Sequence, residues 1–203
     1  MLRKHKTAVL VSPIAEWIPD IPDADWIGID VGCKKITEAG HECLLAIGDF
    51  DSGSLEADVP YPVYRLPVAK DETDSEMAMK AASEMGYSTI YFLGAFGKRM
   101  DHTLANIRCI VWKYPQVIAL EEKQRISLLL PGSYGFDGSW KHYSFFAYEE
   151  SVITLDGFDY PLIHQPIDQK DMYTCSNSIS NTGQKARAIV EKGRVLCVES
   201  NWT

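Results

Sequence analysis

Residues 43–52 read CLLAIGDFDS, an apolar run followed directly by acidic residues. The run from Cys43 to Ile47 has the length and composition of a buried strand. Residues two apart in an extended chain point the same way, so Asp49 and Asp51 present their carboxylates on one face. Two such charges about 4 Å apart repel by about 4 kcal/mol at an effective dielectric of about 20, unless a cation lies between them. The stretch predicts either a cation site at a strand end or a solvated Asp-Ser-Gly turn.

Similar apolar runs alternate with helix-like stretches from Thr7 to about Leu120. This alternation predicts an α/β domain with a largely parallel, Rossmann-like sheet. Ligands of such sheets bind in the loops that leave the carboxyl ends of the strands. The predicted strands are Thr7 to Val11, Asp25 to Asp30, Cys43 to Ile47, Val63 to Leu66, Thr89 to Leu93 and Val117 to Leu120.

Two helices are predicted in this region. The first runs from Thr73 to Met85, because apolar residues recur there at steps of three and four, and Gly86 follows as a stop. Thr73 and Glu76 form a capping box at its start. The second runs from about His102 to Trp112, with Leu104, Ile107, Ile110 and Val111 facing inward.

The pattern changes after Arg125. Short strand-like runs follow one another, separated by turn residues, and no helical periodicity is visible. We predict an α/β domain over residues 1–122 and an all-β sandwich domain over residues 123–203. The predicted strands of the second domain are Ile126 to Leu130, Tyr143 to Phe146, Val152 to Leu155, Ala186 to Val190 and Val195 to Glu199.

A second acidic motif, KDETDSE, occupies residues 70–76. Asp71 precedes the first predicted helix and Asp74 opens it. Acidic residues at a helix start are also favoured by capping and by the helix dipole alone, so this motif by itself is compatible with a purely structural role.

A third motif, GAFGKRMDH, occupies residues 94–102 between a strand and a helix. Glycines allow the backbone to approach a phosphate, free amides at a helix start bind anions, and Lys98 and Arg99 add positive charge. Neither the Walker A spacing nor the Rossmann GxGxxG is present. A purely structural alternative for Asp101 is that it is the N-cap of the following helix. Together, the three motifs predict a site for a hard cation and phosphate groups.

Composition excludes some functions. The formal net charge is -8, and the 20 Lys and Arg are scattered, which argues against a nucleic-acid partner. No apolar stretch approaches the roughly 18 residues of a membrane helix, and the run from Ala8 to Val11 is too short for a signal peptide. The 5 cysteines are widely spread and are expected to be buried thiols in a reducing cytoplasm.

The ordered motifs resemble those of the thiamine pyrophosphokinases. That family carries GDFDS, D-x-T-D-x-E and G-x-x-G-G-R-x-D-H in this order, and the first two are complete here. The resemblance extends to residues 26–33, like the family's strand and glycine turn, and to residues 178–182, like its serine-asparagine substrate motif. This sequence departs from the family pattern at two places. Lys98 stands where the family usually has glycine, and Ser12-Pro13 stands where many members have a Gly-Gly turn.

The resemblance implies transfer of the diphosphate of ATP to the hydroxyl of thiamine, with AMP released. Asp74, Arg99 and Asp101 would be catalytic, with Asp74 or Asp101 as the proton acceptor. Mg²⁺ would be held by Asp49, Asp51, Asp71 and Asp74. Nucleotide contacts would come from Asp49, Asp51, Thr73, Gly94, Gly97, Lys98, Arg99 and His102.

The resemblance also places thiamine on the second domain. Its contacts would be Tyr160, Ser178, Ser180 and Asn181, and a homodimer would share the active site between subunits. The ring of Tyr160 would face the cationic thiazolium. We expect Tyr143, Phe145 and Phe146 to be core residues instead.

Two other functions fit single features of the sequence. Asp49-Phe50-Asp51 echoes the DxD of aspartate-nucleophile phosphatases, but those enzymes carry it after the first strand and usually follow it with Thr or Val. A non-catalytic nucleotide or thiamine-binding module is the second alternative. The number of carboxylates argues against it, since a binding module has no need of so much like charge.

Overall fold

The computed structural model describes residues 3–50, 59–67, 71–97, 99–180 and 185–202. The chain separates into two compact units, Met1–Glu122 and Lys123–Thr203. No helix in these described ranges is both long enough and apolar enough to span a membrane.

The first unit alternates strands and helices, as the hydrophobic pattern predicts. Its elements are β1 (Thr7–Val11), β2 (Ala24–Ile29), α1 (Gly32–Glu38), β3 (Cys43–Gly48), β4 (Val63–Arg65), α2 (Asp74–Glu84), β5 (Thr89–Leu93), α3 (Met100–Trp112) and β6 (Val117–Glu121). Helix α1 was not predicted, because seven residues provide only two turns of periodicity.

The six strands form a parallel sheet in the order β4-β3-β2-β1-β5-β6. The chain builds outward from β1 to β4 and then returns to add β5 on the other side of β1. The strand order therefore reverses between β1 and β5, where Val11 pairs with Gly28 on one side and Leu93 on the other. Such a reversal opens a crevice at the carboxyl ends of the strands.

Helix α2 follows the prediction closely. Thr73 is its N-cap, Met85 is its C-cap, and Gly86 follows with a φ of 81°. Ala78, Met79 and Ala82 form its buried face.

Helix α3 differs from the prediction at its start. It begins at Met100 with Arg99 as N-cap, so the interpretation of Asp101 as the N-cap is wrong. The prediction of Leu104 as an inward residue is also wrong, because its side chain is 55% exposed. Leu104 lies about 120° around the helix from the buried Ile110 at about 100° per residue, whereas the buried Asn106 lies within about 40°.

The second unit is antiparallel β structure. Its strands are β7 (Gln124–Leu129), β8 (Gly132–Phe136), β9 (His142–Ala147), β10 (Ser151–Asp156), β11 (Leu162–Ile167), β12 (Ala186–Lys192) and β13 (Val195–Ser200). Within this unit, β7-β13-β9 and β11-β10-β12-β8 are the two runs of antiparallel neighbours. Strands β8 and β11 were not predicted, since glycines in β8 and Pro166 in β11 weaken the strand pattern.

An aromatic cluster lies in the core of the second unit. Phe136 meets Tyr143 edge to face with ring centroids 5.4 Å apart, and Phe158 packs on Phe145 at 5.5 Å. Tyr143 and Phe145 are fully buried, which confirms them as core residues, whereas Phe146, the next residue along β9, is only half-buried. The difference follows from strand alternation.

The cysteines are all free thiols, and four of them are buried. Burial raises the pKa of the Cys43 thiol to about 12, so it remains protonated and behaves as a small apolar side chain. The expectation of burial is wrong for Cys175, which is exposed in the irregular segment that follows β11.

Candidate active site

Two acidic residues follow adjacent strands at the carboxyl edge of the parallel sheet. Asp30 comes directly after β2, and its backbone amide donates to the Ile47 carbonyl oxygen of β3 at 2.7 Å. Asp49 comes directly after β3 and is half-buried. Asp30 is only 3% exposed and was not predicted as a site residue. Its position directly after a strand, the same as that of Asp49, is the signal that would have identified it.

A positively charged side chain, that of Arg65 on β4, lies beside this edge. Arg65 pairs with Gly48, the residue before Asp49, and its guanidinium carbon lies 5.0 Å from the centroid of the Phe50 ring. Phe50 is buried and has a φ of 59°, a conformation that L-residues rarely adopt. Arg65 was not predicted as a site residue, because nothing in the three-residue strand VYR distinguishes it from a surface arginine.

The second acidic motif surrounds the start of α2. The Thr73 hydroxyl oxygen accepts the Glu76 backbone amide at 3.1 Å, so the structural interpretation of this threonine is confirmed. Asp71 is exposed in the preceding turn, and Asp74 is half-buried as the first helical residue. Because capping uses the Thr73 oxygen as an acceptor, its hydroxyl proton remains available to an anion.

Asp51, the remaining predicted metal ligand, lies outside the described residues. Within the residues that are described, no group of three or more His, Cys, Asp or Glu side chains is close enough to hold a metal ion. The structure therefore places Asp30 and Asp49 at neighbouring strand ends and Asp71 and Asp74 at a helix start, without gathering them into one cluster.

The glycine turn of the third motif begins where the strand order reverses. Gly94 follows β5 with a φ of 74°, and its carbonyl oxygen accepts the buried Ser12 hydroxyl at 2.8 Å. A Cβ atom on Gly94 would lie 2.2 Å from the Ser12 Oγ, so the two turns can approach only because residue 94 is glycine. Ser12 thus occupies the position where the family's Gly-Gly turn was expected.

Charged groups flank this turn. The Arg99 guanidinium donates to both carboxylate oxygens of Asp101, at 3.2 and 2.5 Å, and both side chains are largely exposed. The hydrogen bond from Arg99 lowers the pKa of Asp101, which keeps that carboxylate ionised. His102 and Gly97 are also exposed, whereas Lys98 lies outside the described residues.

Glu121 ends β6 beside the same turn, and it was not predicted. Its carboxylate accepts the Phe96 backbone amide at 3.5 Å. Burial raises the pKa of Glu121, although nearby backbone amides of the turn act in the opposite direction.

The predicted thiamine contacts come together on the second unit. Tyr160 is 70% exposed, and its backbone amide and carbonyl both bond to the side chain of the buried Asn177. Ser178 and Ser180 donate their hydroxyls to Asp159. Asn181 lies outside the described residues. Asn177 and Asp159 were not predicted, although each directly precedes a predicted contact, Ser178 and Tyr160 respectively.

Comparison with known proteins decides the family. Thiamine pyrophosphokinase from Bacillus subtilis (strain 168) is 31% identical to the chain over 150 residues, which are 68% of this chain and 70% of that protein. The chain belongs to the thiamine pyrophosphokinase family. The family model described as "Thiamin pyrophosphokinase, catalytic domain" matches residues 23–120, which hold the three motifs.

Solved structures of thiamine pyrophosphokinases share the fold. The B. subtilis structure has a TM-score of 0.85 and 25% identity, covering 97% of this chain and 100% of that one. The structure from Geobacillus thermodenitrificans has a TM-score of 0.81 and 28% identity, covering 97% of each chain. The resemblance seen in the motifs is thereby confirmed, and membership of the thiamine pyrophosphokinase family makes the chain an enzyme of the diphosphotransferase kind.

Proposed function

We propose that the protein transfers the terminal diphosphate of ATP to the hydroxyl of thiamine, which gives thiamine diphosphate and AMP and completes thiamine diphosphate formation. The observation that carries this proposal is the placement of acidic residues and a basic glycine turn around one edge of the sheet. Asp30 and Asp49 follow adjacent strands. The Gly94 carbonyl oxygen accepts the Ser12 hydroxyl between β1 and β5, where the order of the strands reverses. Phosphoryl transfer asks the protein mainly for alignment and charge neutralisation, and these groups supply both.

The chemistry of the acidic side chains in the first two motifs suits Mg²⁺. These side chains are carboxylates, the hard oxygen ligands that this ion prefers in proteins. Asp49, Asp51, Asp71 and Asp74 would hold the ion, which would neutralise charge on the triphosphate. Asp30 adds a buried carboxylate to that set.

The nucleotide phosphates would lie over the glycine turn and the start of α3. Gly94 and Gly97 keep side chains away from this surface. Arg99 and His102 lie beside it as donors, and Lys98 would add a third. The ion pair between Arg99 and Asp101 is exposed, and exposed pairs are weak, so a phosphate can compete for Arg99. Thr73 retains a hydroxyl proton for a phosphate oxygen.

Asp101 does not act as the proton acceptor in this proposal. The Arg99 hydrogen bond lowers the pKa of Asp101 and makes it a poorer base. Asp101 would instead fix the orientation of Arg99 near the transferring group.

Thiamine would bind the second unit at Tyr160, Ser178, Ser180 and Asn181. The exposed ring of Tyr160 is suited to contact with a thiazolium cation, and such a contact is worth about 0.5 to 2 kcal/mol.

The diphosphate donor and the thiamine hydroxyl must meet, and we propose that they do so across two subunits of a homodimer. Support comes from the edge strand β11 and its surroundings, where large apolar side chains are exposed. They are Tyr160, Ile163, Met172 and Tyr173. An unpaired strand edge with exposed apolar residues is suited to association with another chain. A cytoplasmic location is part of the same proposal and is compatible with five free thiols.

Product analysis tests the proposal. Purified protein with ATP, Mg²⁺ and thiamine is expected to form AMP and thiamine diphosphate in equal amounts, measured by chromatography. Formation of ADP and thiamine monophosphate would contradict it, as would release of free phosphate. Binding of thiamine and ATP without turnover would favour the non-catalytic binding module.

A further inference from the structure

Asp159 lies in a tight turn of the second unit between β10 and β11. Gly157 opens this turn with a φ of 78°, and a Cβ there would lie 3.0 Å from the Lys185 carbonyl oxygen. The Asp159 backbone amide donates to the Ser178 carbonyl oxygen at 2.8 Å. The turn is thus fixed against the segment that carries the predicted thiamine contacts.

The buried side chain of Asn177 strengthens this connection. Its amide group donates to the Tyr160 carbonyl oxygen at 2.8 Å, and its own oxygen accepts the backbone amides of Tyr160 at 3.0 Å and Ser178 at 2.9 Å. The Asn177 side chain thus bonds to the backbone of both Tyr160 and Ser178. The position of residues 159 and 160 relative to Ser178 therefore does not depend on the Asp159 carboxylate alone.

The Asp159 carboxylate accepts three hydrogen bonds from two serines. The Ser178 hydroxyl donates to it at 2.6 Å, the Ser180 backbone amide donates at 3.0 Å, and the Ser180 hydroxyl donates as well. These bonds lower the pKa of Asp159, with the Ser178 bond as the largest cause. No Lys or Arg in the described ranges forms an ion pair with Asp159.

This arrangement decides what the serines offer to a ligand. Each hydroxyl has one proton, and both protons are directed at Asp159, so the oxygens present lone pairs to their other neighbours. A ligand that meets two acceptors, a carboxylate with no ion pair to a Lys or Arg of the described residues and the exposed ring of Tyr160 is favoured if it donates hydrogen bonds or carries positive charge. Thiamine does both, through its pyrimidine amino group and its quaternary thiazolium nitrogen.

We propose that Asp159 determines substrate specificity by holding Ser178 and Ser180 as hydrogen-bond acceptors and by selecting a cationic substrate through its own charge. This inference rests on the proposed function, because it takes thiamine as the ligand of this surface. Asp159 acts as a positioning residue here and takes no part in the transfer of the diphosphate.

Asp159→Asn is the decisive variant. The asparagine keeps the shape of the side chain and one acceptor oxygen, but it removes the charge and replaces the other acceptor with an amide group. It therefore loses either the bond from the Ser180 backbone amide to Oδ1 or both serine-hydroxyl bonds to Oδ2. We expect the KM for thiamine to rise about tenfold, which corresponds to about 1.4 kcal/mol, with the KM for ATP unchanged and kcat within about twofold. Asp156→Asn is the matched control, since Asp156 is an exposed aspartate at the end of β10 in the same unit.

Charge selectivity separates this role from a merely structural one. The readout is the ratio of kcat/KM for thiamine to kcat/KM for a neutral analogue with a thiophene ring in place of the thiazolium. In Asp159→Asn this ratio is expected to fall about tenfold, and Ser180→Ala is expected to weaken both substrates while leaving the ratio close to that of the wild type.

Three outcomes would overturn the proposal for Asp159. They are an unchanged thiamine KM, an equal loss for both substrates with the ratio preserved, and a lowered melting temperature accompanied by a raised KM for ATP. Each of these presupposes an active wild type. A wild-type protein that forms no thiamine diphosphate in the same assay would instead overturn the proposed function, so the two failures are distinguishable.

Discussion

The Ser12 hydroxyl donates to the Gly94 carbonyl oxygen at 2.8 Å and thereby ties the end of β1 to the end of β5. These strands flank the reversal of strand order, so this bond shapes the crevice in which ligands of open α/β sheets bind.

Gly94→Ala tests this relationship. The alanine Cβ would lie 2.2 Å from the Ser12 Oγ and 2.7 Å from the Ala15 backbone nitrogen, in addition to the strain of a φ of 74°. The control is Gly40→Ala, where φ is 85° and nothing lies within 4 Å of the added Cβ. We expect Gly94→Ala to lower the free energy of unfolding by about 1–3 kcal/mol more than the control, as measured by urea denaturation. Equal losses would show that the two turns are not in close contact.

Asp71→Asn tests the proposed metal site. Asp71 is exposed and its charge lies near other acidic residues, so the variant is expected to keep the wild-type melting temperature and to lose at least about tenfold in turnover. The Mg²⁺ concentration for half-maximal activity should rise in parallel. Glu84→Gln, an exposed acid at the other end of α2, serves as control and should leave both values unchanged. A lower melting temperature with retained activity would favour the structural interpretation of the motif.

The pH dependence of turnover tests the role given to Asp101. Because Arg99 lowers the folded pKa of Asp101, the stabilising contribution of this carboxylate is present above its unfolded pKa of about 3.9 and is lost as the pH falls through the lower folded value. Asp101 therefore stays ionised throughout the neutral range. Asp101→Asn is expected to lower kcat without moving the acidic limb of the pH–rate profile. Loss of that limb in the variant would identify Asp101 as the proton acceptor.

A mixture of two impaired variants, assayed at thiamine concentrations below the KM, tests the shared site. Asp74→Asn alters the first unit and Tyr160→Ala alters the second, so random exchange of subunits would leave one intact site in each mixed dimer. An equal mixture is expected to recover roughly a quarter of wild-type activity if sites are shared between subunits. Activity no higher than the average of the separate variants would contradict sharing, and a monomer by sedimentation would contradict the dimer.

The sequence predicts the parallel sheet well because each strand is a compact apolar run bounded by turn residues. Thr7–Val11 and Thr89–Leu93 have the bounds that were predicted. The capping box identifies Thr73 for a similar reason, since the hydrogen bond spans only three residues and depends on local chemistry.

The unpredicted features depend on contacts between distant residues. Asp159 bonds to Ser180, which is 21 residues away, and Asn177 bonds to Tyr160 across 17 residues. Neither pair has a local sequence signal. Leu104 shows a related limit, because periodicity identifies an apolar face but not the angle at which the sheet meets it.

The fate of labelled phosphates tests the central claim most directly, because the claim is that the whole diphosphate leaves ATP in one transfer. ATP labelled in the γ-phosphate, incubated with the protein, Mg²⁺ and thiamine, is expected to place its label in thiamine diphosphate. ATP labelled in the α-phosphate should leave its label in AMP. Appearance of the γ label in thiamine monophosphate or in free phosphate, with ADP as the nucleotide product, would contradict the account.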